Sequence, residues 1–505
     1  MTEFHNPFHF VPVEKIAPSD LMPRDELRSA EEQPHPRRQP YVTHDCYIDR
    51  HGPDAVYSGI VRCRLTTRTP TVLGSLRTEA TEHHPACVLP FMVPGNGTAR
   101  AMEPALPETS LRGMISSLYE ALTNSALRVL SNEEYSVRMD QDEKRSSRSL
   151  SWRRQAGTSW DWFRAIDPNL LPMHGERTQV TLAEQLFGFA DAGTDGRDPV
   201  DKSPKDPKVE PPVAALAGRL RFSTGRWIAV GNNKIEHAWE KELVTLPILG
   251  SPKPPSPRLY FRRKSPSAGV GKKELPRVIQ KNGDIQPQGR KMYLIHEDRL
   301  AANTKLDVYK TKSPRENLKQ KARVKPLRQG QTFEFTIRFD NLSSRELGLL
   351  LLTLKPNAGF LHRLGMGKPL GMGVVELQPQ TVELIDRQCR YAADDLFAER
   401  VHHTWTYGDP NWTEIVAAAR SKIDAKRLAV IELLGDPKST KGHRVAYPCV
   451  DGAEGSEAEL FQWHMENEKS GQPQSLPPTS NKLPTLKTVP PKPPGGSGGK
   501  HGGRR

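Results

Sequence analysis

Alternating hydrophobic and polar residues predict several β-strands in this chain. From residue 57 to residue 65 the odd-numbered positions are apolar or small, and Arg62 and Arg64 lie between them. The same period of two recurs over 217–223 and, most clearly, over 333–339. This period is typical of strands with one buried face. These segments therefore predict a sheet with one apolar face and one basic face.

Two stretches have the spacing of amphipathic helices. Leu111, Ile115 and Leu118 follow Thr109 and Ser110, either of which can cap a helix. A second apolar helix is predicted over 344–354, where a capping-box pattern precedes it. The order is strand, long loop, helix, strand, helix, glycine-rich loop and strand. This order favours an α+β fold of the ferredoxin-like or RNA-recognition type.

Changes in composition divide the chain into four predicted regions. Its 45 prolines and 38 glycines indicate that long loops or tails make up much of the 505 residues. The prediction is an N-terminal arm with a flexible segment over 1–40, a main domain over 41–390, a helical extension over 391–465, and a disordered tail rich in Pro, Gly and Lys over 466–505. Within the main domain we expect insertions at about 131–182, 191–212 and 250–328.

The charge of the chain favours polyanionic partners. Lys and Arg number 73 against 59 Asp and Glu, which gives a net charge of +14 and a pI near 9.5. The five cysteines are far apart and odd in number, which fits neither a disulfide framework nor a CxxC zinc site. We expect no cofactor and no metal. The sequence has no apolar run long enough to span a membrane, so it predicts a soluble, cytoplasmic protein without a membrane partner.

A glycine-rich loop over 362–375 is the most distinctive local sequence. It has four glycines within nine positions, which allow a backbone with positive φ to lie against an anion. The loop is not a nucleotide P-loop, because His362 stands where that motif needs glycine and Pro369 follows Lys368. Its glycine spacing also differs from the dinucleotide fingerprint. The alternative to an anion site is a tight turn that enters a strand at Val374.

Five ordered segments together resemble one known family. They are the arm 6–12, the stretch 109–115, the pair 186–188 and 217–223, the helix start 341–348 and the loop 364–373. The set is similar to the RAMP superfamily of CRISPR-associated proteins, and specifically to type III effector RAMP proteins. The resemblance implies a modified RNA-recognition-type fold that holds the guide RNA backbone. It also implies target RNA and other effector subunits as partners, in a ribonucleoprotein of antiviral defence.

The resemblance and the local chemistry together select candidate RNA-binding residues. A helix N-terminus and nearby cations both favour phosphate. Arg112 could instead be an exposed helix residue, Lys368 a solvated loop residue and His362 a structural residue. The predicted set is Ser110, Arg112, Gly113, His362, Arg363, Gly365, Gly367, Lys368, Gly371 and Gly373.

The sequence leaves open whether the protein cuts RNA. Family members that cut RNA carry an aspartate in the long loop after the first strand, but the corresponding loop 71–108 has none. Glu82, His83 and His84 are the candidate catalytic residues, because histidine can act as acid or base at a 2′-hydroxyl. Adjacent residues in an extended segment face opposite ways, however. Three hypotheses remain: a non-catalytic RNA-binding subunit, an endoribonuclease that cuts target RNA, and a basic scaffold for protein partners only.

Overall fold

The fold was analysed in a computed structural model. It describes residues 1–24, 56–81, 83–95, 101–132, 134–138, 153–191, 215–229, 235–246, 257–264, 269–271, 274–276, 279–281, 283–296, 321–385, 403–451 and 457–490. The α-helices of these residues are α1 Glu108–Leu122, α2 Ser159–Arg164, α3 Leu182–Phe187, α4 Pro257–Tyr260, α5 Ser344–Leu354, α6 Pro410–Arg420, α7 Ala425–Gly435 and α8 Glu457–Lys469.

A nine-stranded sheet forms the centre of the described residues. Its strands are β1 Val56–Thr67, β2 Met92–Pro94, β3 Met102–Leu106, β4 Leu220–Phe222, β5 Gly225–Ile228, β6 Thr332–Ser343, β7 His362–Arg363, β8 Val374–Leu384 and β9 His403–Thr406. The order across the sheet is β7-β8-β1-β6-β5-β3-β2, while β4 also pairs with β6 and β9 with β8. In the middle, β8, β1, β6 and β5 each run antiparallel to their neighbours. Along the chain, α1 follows β1 and precedes β4 and β5, and α5 lies between β6 and β8.

The predicted alternation of β1 is confirmed. Val61, Cys63 and Leu65 are buried on the inner face, whereas Arg62 and Arg64 are exposed on the outer face. Strand β6 pairs with β1 along nearly its full length and has the same alternation. The mixed α+β architecture is also as expected. The sheet therefore has one apolar face that must be covered and one polar face.

Helices α1, α3, α5 and α6 contribute to the apolar cluster on the inner face. The predicted capping box of α5 is present, since Ser343 Oγ accepts from the Glu346 N–H at 3.3 Å and the Glu346 carboxylate accepts from the Ser343 N–H at 2.9 Å. A Cβ atom at Gly348 would lie 2.4 Å from the Ile415 carbonyl oxygen. Glycine thus allows α5 and α6 to pack closely, and α6, within the predicted extension, shares the main core.

The long loop predicted over 71–108 contains strands. A four-stranded sheet has the order Val244–Leu246, Ala322–Val324, Ala86–Pro90 and Gly74–Arg77, and β2 and β3 follow it. The prediction of a loop was wrong for the strands of this segment, which are only three to five residues long. So short a run shows little periodicity in sequence.

The N-terminal arm docks on the rest of the chain. Strand Glu3–His5 lies between Arg444–Val445 and Leu486–Lys487. Strand Phe8–Val11 pairs antiparallel with Arg290–Tyr293, inside the predicted insertion 250–328. The arm therefore joins three segments that are distant in sequence.

The prediction of a disordered tail from residue 466 is wrong for residues 466–490. This segment completes helix α8 and then forms strand Leu486–Lys487. Leu476 and Leu486 are buried in the same apolar cluster as Phe4 and Phe8 of the arm. These few apolar side chains gain enough burial against the arm to order a Pro-rich segment. Residues 491–505 lie outside the described part of the chain, as do 25–40 of the flexible segment and 192–212 of the second insertion.

Shorter pairings complete the fold. Two-stranded sheets join Leu21–Pro23 to Gln179–Thr181, Glu134–Arg138 to Arg153–Thr158, Gly188–Ala190 to Ala215–Ala217, and Phe261–Arg263 to Ile285–Pro287. Within the described ranges, none of the helices combines the length and the apolar character needed to cross a bilayer.

Candidate nucleic-acid interface

The glycine-rich loop has the left-handed backbone that its sequence predicts. Each of its four glycines has φ between 72° and 82°, a region that side chains with a Cβ rarely occupy. A short 3₁₀ turn, Lys368–Leu370, lies between the second and third of them. The four residues are Gly365, Gly367, Gly371 and Gly373.

Two of these glycines allow the loop to fold on its own chain. A Cβ atom at Gly365 would lie 2.1 Å from the Val72 carbonyl oxygen, and one at Gly373 would lie 1.9 Å from the Leu364 carbonyl oxygen. The Gly373 N–H donates to the Pro70 carbonyl oxygen at 2.9 Å. At these two positions the missing Cβ atom therefore lets the loop pack against its own chain. The sequence had predicted that these glycines let a ligand approach the backbone.

An open pocket of about 350 Å³ lies beside this loop. Its walls come from α1, from residues 360–368, from the end of α7 and from the strand Arg290–Tyr293. We call it the α1 pocket. Its lining residues include six of the predicted RNA-binding residues: Ser110, Gly113, His362, Arg363, Gly365 and Lys368. The fold thus brings together two stretches that are far apart in sequence.

Three cationic side chains line the α1 pocket. They are Lys291, Arg363 and Lys368, and the described lining residues include no Asp or Glu. Burial lowers the pKa of Lys368, and the nearby positive charge of Arg363 lowers it further. Lys368 forms no ion pair within the described residues. Lys368 thus brings a partly buried positive charge to the pocket, and such a charge favours an anion.

Lys291 is a lining residue that the sequence analysis did not select. Its ammonium nitrogen lies 4.1 Å from the centroid of the Phe8 ring and 5.0 Å from that of Tyr293, within range of cation–π attraction. Burial lowers the pKa of Lys291 to about 8. Its strand has only four residues, so the sequence carries no usable signal. The pairing with Phe8–Val11 places Lys291 at the pocket.

The rest of the lining is largely apolar, with a few hydroxyl groups. Ser110 and Ser117 of α1 add hydroxyls at one wall. The apolar members include Met114, Leu118, Met292, Phe360 and Leu434. A pocket with cations on one part and apolar side chains on another can hold a phosphate together with a sugar or a base.

Comparison with known families decides what kind of protein carries this pocket. A family model of the RAMP superfamily matches residues 100–376, which is more than half of the chain. The chain belongs to the RAMP superfamily. Membership implies a CRISPR-associated role in binding or processing RNA, because RAMP proteins work in CRISPR RNA–protein complexes. A search of curated proteins found no match.

The match covers the pocket of this RAMP-superfamily chain only in part. It includes α1, Lys291, Arg363 and Lys368, but it excludes the arm that holds Lys291 in place and the α7 residues of the lining. The arm and α7 are therefore additions to the matched region that contribute to the α1 pocket.

Arg112 does not line the pocket. Its guanidinium donates to the Phe187 carbonyl oxygen. Burial, followed by the positive charge of Arg128, lowers the pKa of Arg112. In this fold Arg112 links α1 to the end of α3. Gly367, Gly371 and Gly373 are also outside the lining and shape the loop instead.

The α1 N-terminus differs from the predicted anion site. The helix begins at Glu108 with Pro107 as its cap, so the prediction that Thr109 or Ser110 caps it is wrong. The N–H groups of Ser110 and the next residue both donate to the Pro107 carbonyl oxygen. Glu108 places a carboxylate in the first turn, where it accepts from the Thr224 hydroxyl at 3.1 Å. The pocket therefore depends on side-chain cations, with Ser110 contributing at its wall.

His362 is a buried structural residue of β7. Its Nε2 donates to the Leu354 carbonyl oxygen at 3.0 Å, and its ring packs edge-on against Phe360. Burial lowers the pKa of His362 to about 4, against a smaller raising effect of this hydrogen bond. The ring is therefore neutral at physiological pH and adds no charge to the pocket.

The candidate catalytic histidines lie at an exposed hairpin tip. His83 and His84 are both exposed between strands Gly74–Arg77 and Ala86–Pro90. The turn is closed by a hydrogen bond from the Thr81 N–H to the His84 carbonyl oxygen at 2.8 Å. Neither histidine lines the α1 pocket. Glu82 lies outside the described residues. In the described part of the chain, no group of three His, Cys, Asp or Glu side chains is placed to hold a metal ion.

Proposed function

We propose that this chain is an RNA-binding structural subunit of a type III CRISPR RNA-guided effector complex. In this role it holds the guide RNA backbone and takes part in antiviral defence. The observation that carries the proposal is the α1 pocket, which brings Lys291, Arg363 and Lys368 into one lining with no Asp or Glu among its described residues. Cationic contacts to phosphate fix the position of RNA without reading its sequence. A guide holder needs such contacts, because base pairing reads the target.

The strand order supports the finer fold assignment within this proposal. We assign β1, α1, β4 with β5, β6, α5 and β8 to the two βαβ halves of a ferredoxin-like core. The observed order β8-β1-β6-β5 is the order that this arrangement produces. The N-terminal arm, the strand Arg290–Tyr293 and α7 are then additions that deepen one side of the core. The strand Arg290–Tyr293 and α7 supply five of the described lining residues of the α1 pocket.

The competing function is an endoribonuclease that cuts target RNA through the segment 71–108. Nothing in the geometry favours it, because exposed hairpin histidines lack the positioned partners that proton transfer requires. A cleavage assay on the purified complex separates the two. Intact matched target RNA supports the structural subunit. Cleavage at fixed sites that is lost in His84→Ala, with guide binding unchanged, would establish the nuclease.

The proposal is tested by substitution of Lys368. We expect Lys368→Ala to weaken the binding of a guide-length RNA at least about tenfold, since a charge-assisted hydrogen bond contributes about 1.5–3 kcal/mol. The salt dependence of log Kd should become shallower by about 0.7, the value for one phosphate contact to a single strand. Both are measured by filter binding over a range of KCl concentrations.

The matched control is Lys422→Ala, which removes the same charge from an exposed position outside the pocket. Its RNA affinity and salt slope should stay near those of the wild type. Equal losses in both variants would mean that only overall charge matters. Wild-type affinity and slope in Lys368→Ala would overturn the assignment of the pocket to RNA.

A further inference from the structure

We propose that the outer face of the sheet carries a second RNA contact, in which Arg221 of β4 and Arg338 of β6 hold one backbone phosphate between them. This inference rests on the RNA-binding part of the proposed function, but it concerns a surface that the α1 pocket does not include. The ligand class is a phosphodiester of single-stranded RNA, bound without regard to its base.

The register of the sheet places the two arginines side by side. Arg221 and Arg338 are directly opposite each other on neighbouring antiparallel strands. Both side chains are exposed, whereas Ile337 and Phe339 on either side of Arg338 are buried in the inner face. The Cα atoms of directly opposite residues are about 4.5–5.5 Å apart in such a pair. Two guanidiniums on one face at this spacing can reach the same phosphate.

The charges of this arginine pair are not compensated by the neighbouring strands. Within the described residues neither guanidinium forms an ion pair, whereas Arg62 of the same face contacts Glu383. On its other side Arg338 has Ile60 of β1 as its neighbour. Asp340, two residues further along β6, is half-buried and forms no ion pair with either arginine. Like charges directly opposite each other destabilise a sheet, so an anion bound between them relieves an unfavourable contact.

The side chains of this face favour a phosphate over a base. RNA-recognition-type sheets bind bases by stacking them on aromatic side chains. Here the outward positions of β1, β4, β5, β6 and β8 carry no aromatic ring. Guanidinium groups present rigid sets of N–H donors that match phosphate oxygens. Such contacts hold the RNA backbone and carry no sequence information.

The arginine pair and the α1 pocket are on different sides of the sheet. Helix α1 packs into the apolar cluster of the inner face and forms one wall of the pocket. Arg221 and Arg338 project from the outer face. The chain therefore has two separate RNA contacts, and each can be removed without changing the other.

The test substitutes both arginines by glutamine in the full-length chain, which removes two charges and keeps polar side chains. We expect Arg221→Gln/Arg338→Gln to bind a guide-length RNA at least about tenfold more weakly in filter binding. The salt dependence of log Kd should become shallower by about 0.7, the value for one phosphate contact. The loss should be equal for oligo(U) and oligo(A). Without RNA, the melting temperature should stay the same or rise, because the contact between like charges is removed.

The matched control is Arg64→Gln/Arg68→Gln, which removes two charges from arginines of the same face that contact glutamates. Its RNA affinity should stay within about threefold of the wild type. An equal loss in this control would mean that only the net charge of the face matters, and would overturn the inference. Wild-type affinity in Arg221→Gln/Arg338→Gln overturns it as well. So does a loss accompanied by a lower melting temperature, which would assign the pair a structural role.

The outcomes separate this inference from the proposed role of the α1 pocket. A loss in Arg221→Gln/Arg338→Gln, with wild-type affinity in Lys368→Ala, supports the arginine pair and overturns the pocket. The reverse result overturns the pair and leaves the pocket in place. If the wild-type chain binds no RNA, both assignments fail.

Discussion

The outer face of the sheet and the α1 pocket are both rich in cations, but they differ in the acidic residues beside those cations. On the outer face three arginines are 46–55% exposed, and each contacts a glutamate on a neighbouring strand. The pairs are Arg62–Glu383, Arg64–Glu334 and Arg68–Glu376. In the pocket, Lys291 and Lys368 belong to a lining whose described residues include no Asp or Glu.

This difference shows that the density of positive charge does not locate a binding site. Exposed ion pairs contribute only about 0–1 kcal/mol to stability, but they cancel the field that an approaching phosphate would feel. The pocket cations are partly buried, so solvent and salt screen them less. On the proposed function, a phosphate in the pocket supplies a counter-charge to Lys368, which forms no ion pair within the described residues. At these three arginines of the outer face it would have to compete with a glutamate already present.

The largest change in RNA affinity is expected from placing an acidic side chain in the pocket. Ser117 lines the pocket from an exposed position of α1, so Ser117→Asp introduces a carboxylate among the three cations. We expect RNA affinity to fall about 30-fold or more at low salt, because a charge-assisted contact of about 1.5–3 kcal/mol is redirected to the new carboxylate. Filter binding measures the loss.

The matched control is Ser117→Asn, which has the same shape without the charge. It should bind RNA within about threefold of the wild type. A loss in Ser117→Asn as large as that in Ser117→Asp would attribute the effect to shape and contradict the electrostatic explanation.

A rise in pH is expected to have an intermediate effect on RNA affinity. The pKa of Lys291 is lowered to about 8 by burial, and phosphate binds the protonated ammonium. Raising the pH from 7 to 9 therefore removes the proton from Lys291 in the free protein and should weaken RNA binding roughly tenfold. The pKa of Lys368 is also lowered, so it acts in the same direction.

Anisotropy titrations at pH 7, 8 and 9 measure this dependence, and Lys291→Met should flatten it. An affinity that is constant or rises over this range in the wild type would contradict the role of the ammonium. The arginines of the outer face stay charged throughout the range and predict no such change.

The smallest change in RNA affinity is expected from removing the glutamate partners of two arginines on the outer face. Glu334→Gln with Glu383→Gln keeps the side-chain shapes but removes the counter-charges of Arg62 and Arg64. We expect a gain of about two- to threefold in RNA binding that disappears by 0.3 M salt, because exposed charges are screened within about a Debye length. A gain that persists at high salt would mean that these two arginines belong to a structured site.

The sequence by itself determined the local elements and the kind of protein. The period of two defined β1 and β6, because one face of each must be buried. The capping box at Ser343 defined the start of α5, since two side chains there bond to each other's backbone N–H groups. The glycine spacing identified the left-handed loop, because its φ values are strained for other residues. The ordered motifs resembled the RAMP superfamily, to which the chain belongs.

Only the tertiary structure decided which cations share one pocket. Arg112 looked equivalent to Arg363 in sequence, but its guanidinium contacts the Phe187 carbonyl oxygen. Lys291 is one of many lysines in a predicted insertion, and nothing in the sequence distinguishes it from them. The pairing of its strand with the arm brings it beside Phe8. The physical reason is that periodicity and capping act within a few residues. A binding site depends on contacts between distant segments, and those are set by which apolar surfaces become buried together.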